Sequence, residues 1–239
     1  MTTLVVGASG ATGRLLVEQL LAQGQQVKII VRCVGDFPDT LKQNDNLTMT
    51  EYSLLDMTDT ELLQQVAGCS AVVSCLGHNL TFKGIFAHPR RLVTEAVQRL
   101  CSAIENTKPV APVKFILMNT TGNQNKHAGE KVTLGQSIIV GLIRFLLPPH
   151  ADNELAAEYL QLSFNTSHKM IEWVAVRPDS LINQESVTEY KAYASPIRSA
   201  IFDAGKTSRI NVAHFMSELV TNGTTWSKWK HQMPVIYNI

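Results

Sequence analysis

Cysteine is scarce in this chain of 239 residues, and its pattern excludes more than it suggests. Cys33, Cys69, Cys75 and Cys101 include no Cys-x-x-Cys pair. Neither a disulfide framework nor a metal site is expected, and use of cysteine as a small hydrophobe suits a reducing cytoplasm. Excess charge of one sign is also missing. The 21 Lys and Arg are scattered against 20 acids for a net charge of +1, which offers no basic stripe to a nucleic acid. Long apolar runs are absent too. The strongest, 138–147 (IIVGLIRFLL), contains Arg144 and falls far short of the ~20 residues of a membrane span. It reads as a helix covering a core or a partner. The first residues run straight into a strand, so no leader is expected, and the Asn-x-Thr/Ser triplets, such as 46–48, are then chance matches. No repeat, low-complexity tract or linker divides the chain.

What remains is a composition ordinary for a globular protein, 45% hydrophobic, in a chain long enough to bury a core without staples. Strand patterns alternate with helix patterns. Apolar strands are expected at 2–6, 27–31, 71–76, 113–118 and 173–176, the last stopped by Arg177-Pro178, with an alternating strand at 47–50. A helix at 13–22 is closed by Gly24. Thr58 and Glu61 fit a capping box, and Pro89 suits the first position of a long helix. On that helix Leu92, Val93, Ala96, Val97, Leu100, Cys101 and Ile104 recur at helical spacing. This succession predicts an α/β fold of the Rossmann type, a doubly wound parallel sheet in the order 3-2-1-4-5-6. Residues 1–239 are read as one such domain, its substrate or partner region built from the C-terminal part. Ligands of such sheets sit beyond the carboxyl ends of the strands, at the switch between strands one and four.

The loop after strand one is Gly7-Ala8-Ser9-Gly10-Ala11-Thr12-Gly13. Gly7 permits the tight turn, Gly10 admits a pyrophosphate close to the backbone, and Gly13 lets the helix pack on the strand. The helix start then directs the amides around Ser9, Ala11 and Thr12 at phosphates. Glycines also serve ordinary turns; the strand before and the helix after are what point to a dinucleotide. At the end of strand two, where an acid would hold the ribose of NAD, the sequence has Arg32. A guanidinium there pairs with a 2′-phosphate, with Arg14 as a second partner, so NADP(H) is the expected cofactor. The alternative is a solvated surface arginine. Asp56 suits the adenine amino group, and Gly77 permits close approach of backbone to a cofactor ribose.

These residues resemble the atypical short-chain dehydrogenase/reductases, the NAD(P)-binding group with NmrA-like sensors and biliverdin-IX-beta and flavin reductases. The resemblance runs through VVGASGATGRLLVEQLLAQGQQVKIIVR at the start, AVVSCLG at 71–77, the helix around Ala157-Glu158, EWVAVRPDSL at 172–181 and SRINVAHFMSEL at 208–219. It covers most of the chain and is specific for scaffold and cofactor rather than substrate. It implies a Tyr-x-x-x-Lys helix and a serine after strand five. This sequence has no Tyr followed four positions later by Lys; His150 and Glu154 align there, and Asn119-Thr120-Thr121 takes the serine position.

The flavin-reductase branch does not depend on that pair, because there the protein chiefly orients two rings. Thr121, His78, His150 and Asn153 are the polar groups expected nearest the nicotinamide, with Thr121 donating to a carbonyl or a flavin. Two functions follow: an NADPH-dependent reductase of a flavin, quinone or similar planar acceptor, or a non-catalytic NADP-binding sensor or interaction protein of the NmrA-like kind. No nucleic-acid or membrane partner is expected, and an oligomer is compatible with the sequence.

Overall fold

The computed structural model describes residues 1–78, 91–125, 129–130, 148–199 and 203–239; Pro89 and the apolar run 138–147 lie outside them. The chain alternates as expected. β1 (Thr2–Val6) leads to α1 (Ala11–Ala22), β2 (Gln26–Val31), the single turn α2 (Asp39–Lys42) and β3 (Leu47–Glu51). Then come α3 (Asp59–Val66), β4 (Ala71–Ser74), α4 (Leu92–Asn106), β5 (Val113–Met118), α5 (Pro148–Ser163) and β6 (Ile171–Pro178). Three short strands, β7 (Ser180–Ile182), β8 (Tyr190–Tyr193) and β9 (Lys206–Ser208), precede α6 (Arg209–Thr221), α7 (Gly223–Trp229) and β10 (Val235–Asn238).

Eight strands form one sheet in the order β3-β2-β1-β4-β5-β6-β10-β8, while β7 and β9 pair separately. The expected 3-2-1-4-5-6 order is present and is extended by two strands. Every neighbour in it is parallel except β8, which runs antiparallel to β10. Side chains alternate across a strand, so each central strand feeds two cores. Leu4, Val72 and Phe115 face α3, α4 and α5, whereas Val5, Val73, Ile116 and Val174 face α1, α6 and α7. Burial on both faces explains why these strands read as continuous apolar runs.

Local signals set several boundaries. Thr58 Oγ1 accepts from the Glu61 amide at 3.2 Å and the Glu61 carboxylate accepts from the Thr58 amide at 2.7 Å, the reciprocal capping box. Gly24, in the left-handed conformation, closes α1 by donating to the Leu21 carbonyl. Other boundaries moved. α1 starts at Ala11 rather than residue 13, and β4 ends at Ser74 rather than residue 76. β6 runs through Arg177-Pro178 instead of stopping there.

Arg177 continues the strand because its charge is completely matched. The side chain is fully buried, and all five N–H groups of a guanidinium must then find acceptors. Nε donates to Met233 O at 2.7 Å, Nη1 to Asn123 O and Glu130 Oε2 at 2.9 Å each, and Nη2 to Glu130 Oε1 at 2.6 Å and Ala194 O at 3.4 Å. The second Glu130 oxygen also accepts from the Asn125 amide.

Arg177→Met leaves the Glu130 carboxylate buried and unpaired, and is expected to cost about 3–5 kcal/mol. Arg177→Met/Glu130→Leu should recover much of that. Urea midpoints of wild type, single and double variants check it; a double variant no more stable than the single one would show that the pair is not the cause.

A second prediction concerns acid. His231 has a left-handed backbone (φ 60°) and sits edge-on to the Trp173 ring. Burial lowers its pKa below the ordinary 6.5, against the opposing pull of Glu172. The folded state therefore binds fewer protons than the unfolded chain just below pH 6.5, and stability falls as pH drops through that window. His231→Asn, which tolerates the backbone, should lose less stability than wild type between pH 7 and pH 5.5 in denaturant titrations.

Candidate functional site

The glycine loop lies where β1 ends, beside the end of β4. Gly7 has φ +74°, and a Cβ there would stand 2.5 Å from the Cys75 carbonyl carbon, inside the backbone that follows β4. A Cβ on Gly13 would stand 2.2 Å from the Gly7 oxygen. Both positions demand glycine because helix, loop and two strands meet there without room for a side chain. Gly10 closes the turn through its amide to Gly7 O at 3.0 Å.

No side chain caps α1. The single turn α2 also lacks a side-chain cap, but α1 contrasts with α3, α4, α6 and α7, because a helix start leaves amides without partners unless something satisfies them. Thr58 caps α3, Ser208 caps α6 and Asn222 caps α7. α4 is capped from outside, by Asp152 of α5. α1 keeps its first-turn amides for a ligand, with Ser9, Gly10 and Ala11 exposed and Thr12 buried. A pyrophosphate fits that arrangement of donors and bare backbone.

Arg32 is exposed at the end of β2 and makes no hydrogen bond or ion pair among the described residues. Arg14 is also exposed and lies 4.0 Å from Glu18, a loose pair one helical turn on. Glu51, at the end of β3, accepts from the Val34 amide at 2.8 Å and so brings an acidic group to the Arg32 loop. Asp56 is exposed after β3, and Gly77 is exposed after β4 with open space where a Cβ would be.

The four polar residues expected near the nicotinamide gather around the start of α5 and the ends of β4 and β5. His78 is almost wholly buried and donates from Nε2 to Asp152 Oδ2 at 2.8 Å. Asp152, 1% exposed, also accepts from the amides of Val93 at 2.8 Å and Thr94 at 3.0 Å and lies 2.6 Å from the Thr94 hydroxyl. One carboxylate thus joins β4, α4 and α5. Asn119, after β5, donates to the Asn153 backbone oxygen at 2.9 Å and so ties β5 to α5. The Asn153 side chain itself is half-buried. His150 packs over Gly122, where a Cβ would come within 2.8 Å of the imidazole Cε1. Its Nε2 lies 3.5 Å from Glu154 Oε1.

Thr121 is buried, and its hydroxyl donates to Asp179 Oδ1 at 3.3 Å. With its one proton directed there, it would meet a ligand as an acceptor rather than as the expected donor. Asp179 further accepts from the amides of Ser180 and Gly205. Burial raises its pKa, and these hydrogen bonds oppose that rise. Asp152 and Asp179, and the tie that Asn119 makes to α5, escaped sequence reasoning because the partners are remote: Asp152 and Val93 are 59 residues apart. The only local hint was a polar residue at a strand end. Among the described residues no cluster of His, Cys, Asp and Glu could hold a metal ion, and no helix is long and apolar enough to cross a membrane.

Comparison with curated proteins finds no match. Solved structures do match in fold. The oxidoreductase ylbE from Lactococcus lactis is 19% identical with a TM-score of 0.70, over 100% of this chain and 91% of its own. ChuY, an anaerobillin reductase from Escherichia coli O157:H7, is 15% identical with a TM-score of 0.69, over 100% of this chain and 97% of its own. A short-chain dehydrogenase/reductase from Veillonella parvula DSM 2008, in complex with NADP, is 13% identical with a TM-score of 0.68, over 99% and 94%. At these identities the likeness is one of fold. Sequence supplies the rest: residues 7–223 match the NAD(P)H-binding family, and the chain belongs to it.

Proposed function

We propose that this protein is an NADPH-dependent oxidoreductase of the atypical short-chain dehydrogenase type, acting on a flavin, quinone or similar planar acceptor. The observation that carries the reading is the uncapped start of α1 behind a loop with room only for glycine at positions 7 and 13. Bound there, the dihydronicotinamide supplies a hydride. The chain's own residues do the holding: the amides of Ala11, Thr12 and Gly13 take the pyrophosphate, Arg32 with Arg14 takes the 2′-phosphate, and Asp56 and Gly77 border the adenosine. The acceptor region is built from the C-terminal part of the chain, where the start of α5 and the Asp179 loop face the ends of β4 to β6. The anaerobillin reductase and the NADP complex among the structural neighbours are in keeping with this reading. All four cysteines are free thiols, as suits a reducing cytoplasm.

A Cβ on Gly10 would come no closer than 3.2 Å to its neighbours, at Gly7 O. Gly10→Val should therefore keep the fold while blocking approach of the pyrophosphate, and calorimetric titration should show NADPH binding weakened at least about tenfold. Unchanged affinity would remove the phosphate-loop assignment. Arg32→Ala should weaken NADPH by roughly tenfold to a hundredfold and leave NADH unchanged, since only the former has a 2′-phosphate to hold. Titration of both cofactors at matched ionic strength checks it; equal losses would make Arg32 a surface arginine. Wild-type protein that binds NADPH but oxidises it with no flavin or quinone would favour the NADP-binding sensor, a reading that the missing Tyr-x-x-x-Lys pair keeps alive.

A further inference from the structure

His150 and Glu154 stand one turn apart on α5, both largely buried, with side-chain exposures of 13% and 15%. His150 Nε2 and Glu154 Oε1 lie 3.5 Å apart, and Nε2 is shut off from solvent with no hydrogen bond among the described residues. Native proteins rarely leave a buried polar atom in that condition without a functional reason. The two ring nitrogens are in different situations. Nε2 faces the Glu154 carboxylate, while Nδ1 and Cε1 form the edge turned toward Gly122 at the end of β5. That edge lies at the carboxyl end of a central parallel strand, where ligands of doubly wound sheets bind. A carboxylate behind one imidazole nitrogen, with the other directed to the side of the sheet where ligands of such folds bind, is the arrangement of a general acid.

We propose that His150 and Glu154 form a proton-donating dyad, and that the acceptor is accordingly a conjugated carbonyl compound, a quinone or an enone, whose oxygen takes the proton. This narrows the oxidoreductase reading above and rests on it. The acceptor gains a hydride, and with it two electrons, from reduced nicotinamide, which is oxidised. The Nδ1–H bond of protonated His150 breaks as an O–H bond forms on the acceptor oxygen. Neutral His150 then recovers its proton from water. Glu154, beside Nε2, orients the ring. A carbonyl needs this help because the arriving hydride leaves negative charge localised on one oxygen. A flavin spreads the charge over its rings and needs no such donor.

The test uses the whole protein and two readouts. The first requires no cofactor: 2-hydroxy-1,4-naphthoquinone, anionic at neutral pH, is titrated and followed by its difference spectrum. Wild type should bind it, and His150→Ala should weaken binding at least about tenfold while NADPH affinity stays unchanged. The second is NADPH oxidation with menadione. His150→Ala should lower kcat on the order of a hundredfold, within the range for a lost general acid, with partial rescue by added imidazole. Glu154→Gln should lower kcat less, with the KM for NADPH unchanged. Gly122→Ala, which crowds the ring without removing it, should lower kcat without changing NADPH affinity. Naphthoquinone binding indifferent to His150 overturns the dyad, whatever the turnover. Menadione turnover undiminished in His150→Ala overturns it as well. Absence of turnover together with His150-dependent naphthoquinone binding overturns the oxidoreductase reading alone and leaves the oxygen-binding role of His150 standing.

Discussion

A guanidinium with no exposed surface is the constraint around which the C-terminal half of this protein is arranged. Arg177 survives inside the sheet because each of its N–H groups meets an oxygen and Glu130 supplies the opposite charge. Desolvating such a pair is costly unless geometry and hydrogen bonding are complete, so the four stretches that supply acceptors have little freedom in where they run. They include the loop after β5, through Asn123, and the approach to β10, through Met233. Thr121 and Asp179 each lie two residues from a member of this network, and their mutual hydrogen bond inherits its geometry. The loops after β5 and β6 are thus set from below by a buried ion pair.

Asp152 performs a comparable task nearer the site. Its carboxylate fills the start of α4 and holds His78, which anchors α5 where His150 and Asn153 meet the end of β5. An anion supplied by the chain occupies one helix start, while the start of α1 remains for an anion supplied from outside. The same electrostatics of a helix terminus therefore serves cohesion at one place and, in the function proposed above, recognition at another.

Much of the architecture was legible because its causes act over a few residues. Strands buried on both faces read as apolar runs, as at Ala71, Val72 and Val73 of β4. The capping box at Thr58 needs only Glu61, and the glycine loop must sit between a strand and a helix. What was hidden depends on distance. Arg177 looked like a strand terminator because its partner Glu130 is 47 residues away. Pro178 is tolerated because it is the last residue of β6, where no further N–H is needed. Of the candidate site, the close-packed glycine loop between β1 and α1 could be read from spacing. The fixing of Thr121 by Asp179, and of His78 by Asp152, could not, since neither acid carries a local pattern naming its partner.

The packing of α1 on α6 has a consequence in time rather than space. Leu16 and Leu20 of α1 share a core with Val212, Phe215 and Met216 of α6, and Gln19 and Gln23 donate to Ile210 and Ser217, contacts that span 191 and 194 residues. A nascent chain still short of residue 209 therefore leaves the inner face of α1 without its cover. The glycine loop before α1 is made long before the helix that completes its packing. Closing contacts of such long range is slow, and the uncovered leucines must meanwhile be kept from other partners. The loop that leads into α1 thus waits on the synthesis of α6 before its final shape is held in place.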